Sequence, residues 1–104
     1  MTNLVFAEPA ARDLDSILDY IAIDNPTAAK NVYRSIVASA ERLIQFPEIG
    51  RAGRLPETRE LPVSSLPYII VYEVSLDVVT ILAVFHGARD LAHALAERSA
   101  ELKP

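Results

Sequence analysis

Between Leu14 and Leu43 the chain sets its apolar residues three and four positions apart, and beyond Thr58 that interval gives way to alternation and unbroken apolar runs. Leu14, Ile17, Leu18 and Ile21 make one helical stripe, with Asp13, Asp15 and Asp19 available for its wet side. Asn25 and Pro26 stop that helix and open the next, since asparagine suits an N-cap and proline the first helical turn. Ala29, Val32, Ile36, Ala40 and Leu43 line the second helix, which must end before Pro47. So short a link predicts an antiparallel helical hairpin.

The remaining pattern is that of strands. "NLVFA" precedes the first helix, and "FPEIGRAGRLPE" reads as a loop by its prolines and glycines. "TRELPV", "PYIIVYEVS" and "DVVTILAVFH" are rich in β-branched residues, and a tight turn near Leu76 and Asp77 separates the last two. The final strand is apolar in both alternating sets, so it should be central and covered on both faces. Pro62 and Pro67 move "TRELPV" toward an edge. The segment 87–104, with its alanines and leucines, predicts a closing helix. The order β-α-α-β-β-β-α describes an α+β domain: a small antiparallel sheet with an N-terminal helical hairpin packed on it. Tyr20, Tyr33, Tyr68 and Tyr72 fall at core positions, Tyr72 in phase with Tyr68 and Ile70.

Composition narrows the function classes. A chain of 104 residues that is 51% hydrophobic fits one domain, 1–104. It has no cysteine, which excludes disulfides and thiolate metal sites and fits a reducing cytoplasm. Neither a signal peptide nor a membrane-spanning run is expected from the sequence. The net charge of −4 is carried entirely by residues 1–25, where Arg12 stands against Glu8, Asp13, Asp15, Asp19 and Asp24. The rest of the chain is balanced and its lysines are Lys30 and Lys103, so binding to nucleic acid would have to rest on a local arginine cluster. His86 and His93 make a poor ligand set, and no metal or other cofactor is expected.

In order along the chain, "VFAEPAARDLDSILDYIAIDNPTAA", "FPEIGRAGRLPETRELPVSSLPYIIVYEV" and "VTILAVFHGARD" make it similar to the RelE/ParE superfamily of type II toxin-antitoxin toxins, on the ParE side, over roughly residues 3–90. The resemblance implies the same α+β fold and one of two actions. ParE-like toxins poison DNA gyrase; RelE-like toxins cut messenger RNA on the ribosome. It also implies a cognate antitoxin whose C-terminal segment folds along the toxin, expected here across the helical hairpin and the sheet.

Each candidate side chain has two readings. Cleaving RNA needs a general base, a general acid and cations around the phosphorane. His86 can act as acid or base near neutral pH, and Glu57 or Glu60 can serve as a base; the resemblance places catalytic work on Arg59 and His86. By strand parity Arg59 points with Leu61 and Val63. Against this, a histidine that closes a buried strand can simply be packed there, and Arg59 can pair with Glu57 or Glu60 on the surface. Arg51, Arg54, Arg59 and Arg89 are the candidate contacts for target or antitoxin. Arg89 opposes the macrodipole of the helix it would open, although Asp90 offsets that cost. Three functions stay open: a gyrase inhibitor without a catalytic site, a ribosome-dependent ribonuclease, and a binding partner that has lost toxicity. The acidic balance and the scarcity of lysine favour the first.

Overall fold

The computed structural model describes residues 2–87 of the protein. The closing helix expected beyond Gly87, together with Arg89 and His93, lies outside the described residues. Strand β1 (Asn3–Phe6) leads into helix α1 (Glu8–Asp24), and α2 (Pro26–Gln45) follows after one residue. Asn25 serves both helices: its backbone N–H bonds the Ile21 carbonyl, and its side-chain oxygen accepts from the Ala28 N–H at 3.0 Å. That double cap allows so abrupt a reversal. Four more strands complete the domain, β2 (Arg51–Ala52), β3 (Arg59–Pro62), β4 (Tyr68–Ser75) and β5 (Val78–His86).

The spatial order is β1-β5-β4-β3-β2. β3, β4 and β5 form the expected antiparallel meander, and β5 is interior. Two features extend the sequence reading. β1 pairs with β5 in parallel, because the chain returns to the same edge through the helical hairpin, so the sheet is mixed. Arg51 and Ala52, inside the segment read as a loop, add a two-residue strand opposite Glu60 and Arg59. Two residues carry no period of their own.

The helices cover one face. Ala10 and Leu14 of α1 and Ile36, Ala40 and Leu43 of α2 meet Leu61, Val63, Ile70, Tyr72, Val79, Ile81 and Val84 in one core. Alanines at the contact let helix backbones approach the sheet closely. On the far face Val71 and Ala83 are buried, with Leu55, Ile69 and Phe85 packed against them, which is why β5 reads as apolar throughout.

A bulge in β5 decides where its last residues point. Tyr72 pairs with Ile81 but Val71 pairs with Ala83, so Leu82 is the extra residue. Before it, Val79 and Ile81 face the helices; after it Val84 and His86 do, opposite Ile70 and Tyr68. An unbroken alternation would have turned His86 to the other face.

Candidate functional site

The arginine corner is built where the chain leaves α2 and turns into β2 and β3. Tyr72 on β4 is fully buried, and its hydroxyl lies between two backbone groups of this crossing: it donates to the Pro47 carbonyl at 2.8 Å and accepts from the Gly50 N–H at 2.9 Å. Burial pushes the phenol above its ordinary pKa, an effect countered in part by the Gly50 hydrogen bond and the nearby Arg59 charge, and reinforced by Glu48. Gly50 leaves room for this hydroxyl, since a Cβ there would sit 2.6 Å from the Tyr72 oxygen and force a displacement. Arg59 closes the crossing from the other side, donating from Nη1 to the Gly50 carbonyl at 2.8 Å and the Glu48 carbonyl at 3.2 Å.

Arg59 therefore does point with Leu61 and Val63, yet its guanidinium ties down backbone carbonyls of the crossing. The expected surface pairing of Arg59 with Glu60 is not formed: successive residues of a strand face opposite sides, and Glu60 looks the other way. Its side chain is only 1% exposed, and it accepts from the Arg54 backbone N–H at 3.0 Å and from Arg51 Nη2 at 3.4 Å, with Arg54 Nε at 4.0 Å. A buried carboxylate thus gathers Arg51 and Arg54, both of which keep about half of their side chains in water. Glu57 is exposed, with a φ of 63°, on the loop before β3.

Two side chains take structural roles that the sequence pattern does not show. Glu60 reads in the sequence as half of a surface pair, but its register partner is Val71 on an apolar stretch of β4, a placement that only the sheet pairing reveals. By helical phase Asp13 is available for the wet side of α1. It is half-buried, and its Oδ2 accepts from the Val84 N–H at 3.0 Å on β5, past the point where β1 ends opposite Ile81. The tyrosines divide: Tyr72 is core and Tyr68 half-buried, whereas Tyr20 is 79% and Tyr33 47% exposed on the helical hairpin. Helical phase alone places the latter two at the margin of the stripe.

His86 stands elsewhere. Its ring meets Tyr68 edge to face, with centroids 5.5 Å apart, in a cleft of about 540 Å³ whose walls include Asp13, Ser16, Tyr20 and Phe85. Arg59 is opposite Tyr72 and His86 opposite Tyr68, four positions apart on β4 and on its two flanking strands. That separates them by about 13 Å along the sheet and about 10 Å across it. The core lies between. Arg51 and Arg54 are brought together on Glu60, Arg59 turns to the other side of β3, and His86 is brought to none of them.

Similarity to known proteins agrees with this architecture. Residues 4–91 match the family model described as the ParE toxin of the type II toxin-antitoxin system, parDE. Y4kP, a proposed toxin of Sinorhizobium fredii, is 46% identical over 78 residues, covering 75% of this chain and 80% of its own length. Toxin RelE2 of Caulobacter vibrioides is 36% identical over 89 residues, covering 86% and 99%. Among solved structures, the chromosomal ParDE system from P. aeruginosa superposes with a TM-score of 0.75 at 26% identity, over 83% of this chain and 96% of that one. The isolated E. coli RelE toxin shares the fold, with a TM-score of 0.56 at 18% identity over 96% and 99%. With a helical hairpin laid on a five-stranded mixed sheet and a family match spanning nearly all of the described residues, the chain belongs to the ParE toxin family of type II toxin-antitoxin systems.

Proposed function

We propose that this single domain acts as a ParE-like toxin, inhibiting DNA gyrase by binding it, and that a cognate antitoxin neutralises it. The observation that carries this reading is the separation of Arg59 from His86 across the core. A general acid or base must come within hydrogen-bonding reach of the atom it serves, and the cation must touch the same phosphate. Two side chains at opposite corners of the sheet do not serve one scissile bond. Arg59 is moreover engaged by the Gly50 and Glu48 carbonyls. A toxin that works by occupying a protein needs no such convergence.

For the antitoxin, the helical hairpin offers exposed Tyr20, Ile23 and Tyr33, and the corner offers Arg51 and Arg54 over buried Glu60. An antitoxin segment that folds on contact would cover the apolar side chains and set acidic residues against the arginines. Exchanging both Arg51 and Arg54 for alanine should weaken antitoxin affinity by about tenfold or more, with a salt dependence shallower than that of the wild type. Calorimetry at two salt concentrations gives the answer, and unchanged affinity removes the charge pairing.

The gyrase reading is tested by titrating purified, antitoxin-free protein into a plasmid supercoiling assay. Lost supercoiling and trapped, cleaved DNA are expected. If gyrase is untouched at high excess while messenger RNA is cut on programmed ribosomes, the ribonuclease reading replaces this one.

A further inference from the structure

The turn joining β4 to β5 consists of Leu76 and Asp77, between paired Ser75 and Val78. Leu76 adopts a φ of 53° and is 96% exposed. Both turn types that suit two-residue hairpins ask for a positive φ at this first loop position, and both favour glycine, asparagine or aspartate there. Leucine is disfavoured twice over, by the crowding of its Cβ and by the apolar surface it leaves in water. The backbone bond that anchors the turn, from the Asn3 N–H to the Asp77 carbonyl, makes no use of the leucine side chain. Glu57 and Ser65 also have positive φ, but they are polar and suit the water around them.

The surroundings of Leu76 specify what it fits. Val74, two positions earlier, is 38% exposed. Glu73, Ser75 and Asp77 beside it are exposed as well, so the apolar tip is edged by two carboxylates. Such an edge repels phosphates and complements cations. The tip also lies at the start of β5, whereas His86 and Tyr20 stand by its far end; the hairpin therefore points away from the apolar side chains of the helix reversal. We propose that Leu76 is an anchor that inserts into an apolar pocket rimmed by basic side chains on the protein this toxin inhibits. This inference rests on the reading that toxicity comes from binding a protein.

The test uses Leu76→Gly and Leu76→Asn, which suit the backbone at this position, and Leu76→Met, which keeps an apolar side chain. The first two should melt at or above the wild-type temperature and bind antitoxin unchanged, yet lose growth arrest when antitoxin is withdrawn, and need about tenfold more protein for half-maximal gyrase inhibition. Leu76→Met should stay toxic. Full toxicity of Leu76→Gly overturns the proposal, and so does a loss confined to antitoxin affinity. Growth arrest that depends on Leu76 while wild-type protein leaves gyrase untouched keeps the anchor and refutes the target.

Discussion

At the scale of single residues, the arginine corner is held by a few exact contacts whose removal has separable effects. Tyr72→Phe deletes the hydroxyl between the Pro47 carbonyl and the Gly50 N–H. With both groups left in a closed crossing, the variant should lose about 1–3 kcal/mol in denaturant unfolding. The same phenol makes stability depend on alkaline pH. Its folded-state pKa is raised above the ordinary value near 10, so the unfolded chain releases the proton more readily. The contribution is complete below pH 10 and is lost as pH rises through the folded-state pKa. Melting curves from pH 8 upward should therefore fall less steeply for Tyr72→Phe than for the wild type. Gly50→Ala places its methyl against the Tyr72 hydroxyl and ring, and should cost about 1–3 kcal/mol through forced displacement.

At the scale of elements, the hairpin turns on Asn25, and Asn25→Ala should lower stability by about 1 kcal/mol, because α2 loses its side-chain cap. Thermal unfolding measures it. The helices, the meander and the central place of β5 were legible in the sequence because each has a period long enough to read, from Leu14 to Ile21, from Ala29 to Leu43, and along Tyr68–Ser75 and Val78–His86. Other features were not. The parallel pairing of β1 depends on where the chain returns after two helices, and β2 exists only as a partner for Arg59 and Glu60. The bulge at Leu82 is invisible in a strand whose two faces are both apolar, although it decides which way His86 looks. For the site, the parity of Arg59 was readable and the carbonyls that hold it were not, since they come from Glu48 and Gly50 in a segment without periodicity.

At the scale of the whole molecule, Arg59 and His86, the pair proposed for a nuclease reading, are kept apart by the core that makes the fold stable. Arg59 braces the crossing at one corner, and His86 packs on Tyr68 at the other. Among the described residues no helix is long and apolar enough to cross a membrane. The most direct measurement is plasmid supercoiling by gyrase, titrated in parallel with the wild-type protein and His86→Ala. Inhibition by both, with half-maximal concentrations agreeing within about twofold, is the result expected of a toxin that acts by occupancy alone. Supercoiling untouched by the wild type, together with ribosome-dependent cleavage of messenger RNA that His86→Ala abolishes, contradicts the account.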